Sequence, residues 1–562
     1  MNKSGSKFIS ETFKAYEVDC VFFVEAIFRD ALREMAKLGI KRVMAHNEKA
    51  AAYMADGYAR ASRKPGIVMC QSVGAANLAA GLQDAFLNGT PVIGISGHRP
   101  PLEQYRNPYQ EIYHPPLFQS VTKFHCAAVD INQLPHLLPQ LFREASAPPS
   151  APVHMDVAGL MGEFETDACE FPIKANRQFL KSPAFRPVAE EDNLKFVLKC
   201  ISESRCPVII AGGGIIASGA EKELIALAEK LSIPVITSVN GKGALPGNHR
   251  LNCGVVGTYT KRSANLVAAS CDLAVIAGSR AGDLTTDGFT LPPVNSMVIQ
   301  IDIDPIQIGR NYPNTFGLVG DVKATLAKLF ETVDSATGNP RWLEYCSRVT
   351  KDWESQYGPM FNSKEQPTRP ERLCQELSEF LPPNAVLVAD TGHSAIWAGA
   401  FIKFTGSNQK FYRAAGSLGW AFPAAMGIKC ATPERPVFCF TGDGGICYHL
   451  SELETALRCG INTVTIVNNN NAFGQCWEGI HDVYGDDPGR ADLYLFKPIN
   501  FANFASDMGC LGIRIEDPTQ IRPALERAVN ENKPALLDVV TDWKAVAPYP
   551  PMPPQPEELF TQ

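Results

Sequence analysis

Asp443 and Asn470 stand 27 positions apart, each at the end of an apolar run and each beside residues that let the backbone turn tightly. Asp443 lies in Gly442-Asp443-Gly444-Gly445, just past Pro436-Val437-Phe438-Cys439-Phe440, and Asn470 follows Thr463-Val464-Thr465-Ile466-Val467. One carboxylate and one amide oxygen suit a hard cation such as Mg2+, which keeps octahedral oxygen coordination and takes its other ligands from phosphates and water. Gly442, Gly444 and Gly445 would let the backbone approach a diphosphate closely. A second candidate is Glu48, in His46-Asn47-Glu48-Lys49, where an Ala-rich helix begins and a carboxylate is favoured by the helix dipole.

Taken singly, Gly-Asp-Gly reads as a turn and Asn-Asn as a loop. What joins them is the pattern between: the two apolar runs read as buried strands and the stretch from about Leu450 to Cys459 as a helix. A strand-helix-strand unit of a parallel sheet brings its carboxyl ends side by side, so both oxygens can reach one ion. Such units recur. Apolar strand-like runs alternate with helical patterns in three blocks, as in parallel sheets covered on both faces, and at 562 residues the chain is too long for one core. The reading is an α/β protein of three doubly wound parallel-sheet domains at 1–165, 190–333 and 370–545.

Two polar, proline-bearing linkers separate the blocks. The first carries Glu163, Glu165, Asp167 and Glu170; the second runs from Asp334 to Pro370. The tail with Pro548, Pro550, Pro551, Pro553 and Pro554 excludes regular structure and is expected to lie extended over the surface. A net charge of −7 without a basic block argues against nucleic acid. No apolar stretch approaches the roughly 18 to 20 residues of a membrane span, and Glu11, Lys14, Glu17 and Asp19 do not suit a secretory signal. The 16 Cys form no Cys-x-x-Cys pair and many sit in apolar runs, which favours free thiols and a cytoplasmic setting. No short sequence repeat is visible.

Together, Gly442-Asp443-Gly444 with Asn469-Asn470, and Glu48 in a segment ending Ala55-Asp56-Gly57-Tyr58-Ala59-Arg60, resemble the thiamine-diphosphate enzymes. The resemblance is to the acetolactate synthase, benzoylformate decarboxylase and 2-hydroxyacyl-CoA lyase family and covers nearly the whole chain. It implies pyrimidine-binding, central Rossmann-like and diphosphate-binding domains in that order. It implies that Glu48 exchanges a proton with the aminopyrimidine and so activates the thiazolium C2 that attacks a carbonyl. Mg2+ would be held by Asp443, Asn470 and the carbonyl of Ala472. The Gly416 carbonyl, in Ala415-Gly416-Ser417-Leu418, would accept from the 4′-amino group, and Leu418 would bend the cofactor; the alternative for Leu418 is a plain core leucine. Gly392, His393 and Ser394 resemble the diphosphate loop, the alternative for the last two being ordinary helix capping.

Substrate recognition departs from the pattern. Leu284 stands where acetolactate synthases carry an arginine for the carboxylate of the second oxo acid, a charge-assisted contact of roughly 1.5 to 3 kcal/mol. Gln71 stands where benzoylformate decarboxylase has its histidine, and Trp477, in Gly474-Gln475-Cys476-Trp477, lies two positions early. Gln110, in Tyr109-Gln110-Glu111, is the substrate-side candidate of the resemblance. Nearby His114 is either a proton relay or a solvated loop histidine. Gln475, Trp477, Gln71 and His114 are the expected pocket. Gly254-Val255-Val256-Gly257 and Gln300-Ile301-Asp302-Ile303-Asp304-Pro305 resemble central domains that carry FAD, ADP or nothing. The expected activity is decarboxylation of a 2-oxo acid with aldehyde release or acyloin carboligation, by a homodimer or homotetramer. A lyase for 2-hydroxy ketones or 2-hydroxyacyl-CoA is the alternative, and a cofactor-binding homologue without turnover is the alternative of another class.

Overall fold

In the computed structural model, residues 3–158, 164, 168–259, 261–333, 338–406, 408–545 and 547–548 are described. Glu163, Glu165 and Asp167 of the first linker, and the tail from Pro550 on, lie outside them. Three six-stranded sheets, each wholly parallel, carry the chain, with helices on both faces. They occupy residues 20–158, 207–319 and 386–540. Their strands are runs such as Ile67-Val68-Met69, Val208-Ile209-Ile210 and Leu387-Val388, all at most 2% exposed, as parallel strands covered on both sides must be.

Counting strands within each sheet in chain order, the first and third sheets share the order 2-1-3-4-6-5, while the middle sheet runs 3-2-1-4-5-6, the dinucleotide-fold order. The outer domains are thus topological copies of each other. In both, the second strand leads into a helix at the domain contact: Lys41–Met44 into Glu48–Ser62, and Lys410–Arg413 into Ala421–Ala431. These equivalent helices pack on each other. The approach is close enough that a Cβ at Gly57 would strike the Ala424 carbonyl, and one at Gly427 the Met54 carbonyl. One buried cluster runs from Phe22 and Tyr53 through Ala424 and Met426 to Cys439, so the outer domains share a core.

The second linker is not a linker throughout. Pro340–Phe361 is a 22-residue helix, capped by Asn339 accepting from the Arg341 N–H and opened by Pro340 at its first position. Trp342, Tyr345, Cys346 and Trp353 are its buried stripe, and Trp353 packs on Phe401 of the third domain. Every cysteine whose side chain is described is free, and no described helix is long and apolar enough to cross a membrane.

Candidate active site

Asp443 and Asn470 each follow directly on a strand, Val437–Gly442 and Val464–Asn469, and these strands are hydrogen-bonded neighbours with Gly442 opposite Asn468. The Ala472 N–H donates to Asp443 Oδ2 at 3.0 Å and to Asn470 Oδ1 at 3.1 Å, which brings the three residues around one point. Asn471, between the last two, takes φ 53°, a left-handed turn that few non-glycine residues adopt. Asp443 is 4% exposed, and burial pushes its carboxyl up to about 7 against the pull of the Gly444 and Ala472 N–H groups. A buried carboxylate beside an amide oxygen, without a cationic side chain among its hydrogen-bond partners in the described residues, is the donor set of a hard divalent ion.

The glycines divide by role. A Cβ at Gly444 would meet the Phe473 ring and one at Gly445 would meet Thr441 Oγ1 at 2.6 Å, so the protein's own packing demands both. Gly442 faces Ser394 Oγ, 3.5 Å from where its Cβ would stand. Gly392, with φ 69°, opens the helix His393–Phe401. The cap position is Gly392 itself, which has no side chain with which to cap. His393 is buried, which lowers its pKa to about 4 and keeps the ring neutral. A Cβ at Gly474 would lie 2.9 Å from His393 Nδ1 and 3.1 Å from Asn470 Nδ2, so the diphosphate-loop candidates and the cation candidates share one wall. Gln475 joins it, its Nε2 donating to the Tyr259 hydroxyl of the middle domain at 2.8 Å.

Gly416 is exposed and has open space where a Cβ would be. Leu418 is half-buried rather than a core leucine. The backbone around it is pinned on both sides. Asp390 Oδ1 accepts from the Gly419 N–H at 3.0 Å, and Asp84, from the first domain, accepts from the N–H groups of Ala415, Gly416 and Ser417. Nothing in the sequence singled out Asp84. It lies within the helix Ala75–Asn88, where a lone carboxylate reads as a solvent-facing residue, and its backbone partners in the 415–417 loop are more than 300 positions away.

Glu48 is the first residue of its helix, which is capped by Asn47. Its Oε2 accepts from Asn77 Nδ2 at 3.0 Å, and Oε1 lies against Gly74, where a Cβ would come within 2.5 Å. Gln71 precedes the single turn Ser72–Gly74 on the same side. Gln110 takes φ 61°, its carbonyl accepts from Ser72 Oγ at 2.8 Å, and its buried Oε1 has no partner among the described residues. A strained residue with an unsatisfied amide oxygen is a signature of a binding edge. His114 is 1% exposed and not solvated: its Nδ1 is 2.7 Å from Asp156 Oδ1 and its Nε2 3.3 Å from Ser72 Oγ. The predicted residues therefore form two groups. Glu48, Gln71, Gln110 and His114 stand in the first domain; Gly392 to Ser394, Gly416 to Leu418, Gly442 to Gly445, Asn470, Ala472 and Gln475 stand in the third. Trp477 joins neither and stacks on His481 of its own helix at 5.3 Å.

In the middle domain a cavity of about 320 Å3 opens between Gly213, Asn240, Arg280 and Asp302. The glycine run beside it is required first by the protein, since a Cβ at Gly212 would strike the Gly278 carbonyl.

Comparison with known proteins yields three matches in order along the chain. Residues 3–117 match the thiamine pyrophosphate enzyme N-terminal TPP binding domain, 194–329 the central domain and 390–539 the C-terminal TPP binding domain. A probable acetolactate synthase large subunit from Methanocaldococcus jannaschii is 32% identical over 541 residues, 93% of this chain and 89% of the relative. The acetolactate synthase large subunit of Lactococcus lactis is 27% identical, covering 96% and 92%, and the acetolactate synthase of Mycobacterium leprae 28%, covering 97% and 89%. With the paired outer domains and the oxygen donors at their strand ends, these matches mean that the chain belongs to the thiamine pyrophosphate enzyme family.

Proposed function

We propose that this enzyme uses thiamine diphosphate and Mg2+ to break or form a carbon–carbon bond next to a carbonyl, decarboxylating a 2-oxo acid and either releasing the aldehyde or passing the acyl unit to an acceptor. The observation that carries the reading is the convergence of Asp443, Asn470 and Ala472 on one point, with the His393 and Ser394 wall beside it. These oxygens would hold Mg2+ and, through it, the diphosphate; a neutral His393 can donate one N–H to a phosphate oxygen. The bound cofactor supplies the nucleophilic carbon and the electron sink that a protein side chain lacks. Glu48 would move the proton at the pyrimidine, the Gly416 carbonyl would orient its amino group, and Leu418 would set its angle. Gln110 would present its unpaired amide oxygen to the substrate. In the middle domain the cavity beside Gly213 is where a nucleotide such as FAD or ADP would lie, its volume falling in the range of small-molecule sites.

Leu284 favours a second reading. It has no charge with which to grip the carboxylate of a second oxo acid, so an uncharged acceptor, or the reverse cleavage of a 2-hydroxy ketone or 2-hydroxyacyl-CoA, is compatible with that position. The test is CO2 release by the purified protein with thiamine diphosphate and Mg2+ across pyruvate, branched and aromatic 2-oxo acids, with products identified by mass. CO2 with an aldehyde or acyloin is the expected result; no CO2 from any acid, with cleavage of a 2-hydroxy ketone or acyl-CoA, establishes the lyase instead. In the same assay Glu48→Gln should cut turnover by about 10² to 10⁴-fold while thiamine diphosphate still binds. A Glu48→Gln enzyme of full activity refutes the proposed role.

A further inference from the structure

Asp84 is fully buried, and its carboxylate is surrounded by donors from the third domain and from Arg60 of its own. Oδ1 accepts from the Ala415 N–H at 2.9 Å and from Arg60 Nη2 at 2.9 Å; Oδ2 accepts from the N–H groups of Ala415 at 3.1 Å, Gly416 at 3.3 Å and Ser417 at 3.1 Å. Three successive backbone N–H groups turned to one anion form a concave nest of the kind that elsewhere binds phosphate. Here the protein fills it with its own carboxylate.

The rest of the network holds that carboxylate still. Arg60 makes a two-pronged pair with Asp56, at 2.8 and 2.7 Å, donates to the Arg413 carbonyl at 2.7 Å and lies over the Trp420 ring at 4.4 Å. Trp420 Nε1 in turn donates to Asp56 Oδ2 at 2.8 Å. Asp84, Asp56 and Trp420 are buried and the Arg60 side chain is 6% exposed, so the set is a rigid post rather than a surface clasp.

The consequence falls on the loop. Asp84 takes up the N–H edge of the 415–417 turn, and the Ser417 carbonyl accepts from the Trp420 N–H at 3.3 Å. Gly416 between them is exposed, with open space where a Cβ would stand. Two positions on, Asp390 takes the Gly419 N–H, so Leu418 is held between two anchored points.

We propose that Asp84 is a positioning residue for the cofactor's pyrimidine half: by gathering the N–H groups of Ala415, Gly416 and Ser417 it aims the Gly416 carbonyl and Leu418 at the ring. The inference rests on the thiamine diphosphate reading above. It separates Asp84 from the diphosphate half, which is held by residues that Asp84 does not touch.

That separation supplies the test. Binding of thiamine diphosphate and of inorganic pyrophosphate, each with Mg2+, is measured by calorimetry on the wild type, on Asp84→Asn and on Asp56→Asn. Asparagine at 84 sets an amide N–H against three backbone N–H groups, so Asp84→Asn should weaken thiamine diphosphate by about tenfold or more and leave pyrophosphate within about twofold. Asp56→Asn disturbs Arg60 and Trp420 without touching the loop and should leave the ratio of the two affinities unchanged. If Asp84→Asn does not fold, Asp84→Glu, which retains the charge that Arg60 requires, should give the same split. Equal loss of both ligands, or loss of neither, overturns the proposal. A wild type that binds pyrophosphate but not thiamine diphosphate would instead refute the cofactor assignment.

Discussion

Asp156 and three histidines occupy a sheet face that parallel-sheet packing normally fills with apolar side chains. Asp156 Oδ1 accepts from Ser96 Oγ at 2.6 Å, and Ser96 Oγ is also 2.9 Å from His154 Nε2. Because the single Ser96 proton goes to Asp156, His154 must donate from Nε2 and accept at Nδ1 from His125, 3.0 Å away. His125, His154 and Asp156 stand close enough together for a metal ion, but His154 has both ring nitrogens engaged and none to offer. Burial lowers the His154 pKa to about 3, although Asp156 pulls the other way. Unfolded histidine titrates near 6.5, so on acidification the unfolded chain takes a proton that the folded one refuses, and stability falls as pH drops from about 6.5 towards 3. Burial would raise Asp156, but the histidines and Ser96 outweigh it and hold its carboxyl well below the usual range, so its contribution is lost only at lower pH. His154→Gln should therefore flatten the decline in unfolding free energy between pH 7 and pH 4, by up to about 1.4 kcal/mol per pH unit. Thermal unfolding at several pH values checks this; parallel curves for the two proteins would dismiss it. At this scale the closeness of Asp443 and Asn470 was legible because each directly follows an apolar strand. His114 and Asp84 were not, since a histidine in a proline-bearing loop and an aspartate in mid-helix reveal their burial only through partners distant in sequence.

Elements were legible where one period dominated. Val437–Gly442 and Val464–Asn469 lie within two residues of the apolar runs that suggested them. Pro340–Phe361 was hidden by the prolines around it, although Asn339-Pro340 is a cap followed by a helix opener and its aromatic residues recur at three and four positions. The duplicated 2-1-3-4-6-5 order left no sequence repeat, because topology constrains where strands and crossovers fall and not which apolar residue fills each place. Its clearest trace is the pair Gly57 and Gly427, on equivalent helices, each pressed against the other helix's backbone. Gly57→Ala and Gly427→Ala should each destabilise the protein by about 1 to 3 kcal/mol, the cost of forcing an extra methyl into a packed contact. Gly479→Ala is the control: it sits in the helix Trp477–Tyr484 with nothing within 4 Å of a new Cβ, so alanine should be neutral or stabilising by helix propensity. Thermal unfolding of the three variants decides it, and a Gly427→Ala protein as stable as Gly479→Ala would mean that the two helices can separate at little cost.

For the whole molecule, the question is how the two groups of candidate residues become one site. Within a chain the Glu48 carboxylate is held by Asn77 and Gly74, while the Asp443 group is closed by Ala472, Gly474 and His393. Around Gln110 the first domain exposes Leu102, Tyr105, Tyr109 and Tyr113, at 88, 92, 72 and 73%. Single exposed apolar residues are ordinary, but four in one loop beside a candidate site mark a surface that is covered in use. A second copy of the chain is the economical cover: a two-fold axis would set Glu48 of each copy against the Asp443 group of the other, much as the equivalent helices of the outer domains already meet within one chain. The arrangement can be tested by complementation. Glu48→Gln and Asp443→Asn should each be inactive alone, since each spoils every site. Co-expressed, they pair at random into about one-half mixed dimers, each with one site built from two unmutated halves, so about a quarter of wild-type activity should return. If each site lay within one chain, no mixture would recover any. The same mixed dimers, isolated by two affinity tags, should bind one equivalent of thiamine diphosphate in a turnover-competent state per pair, and full inactivity of that purified species would place Glu48 and Asp443 in the same chain's site.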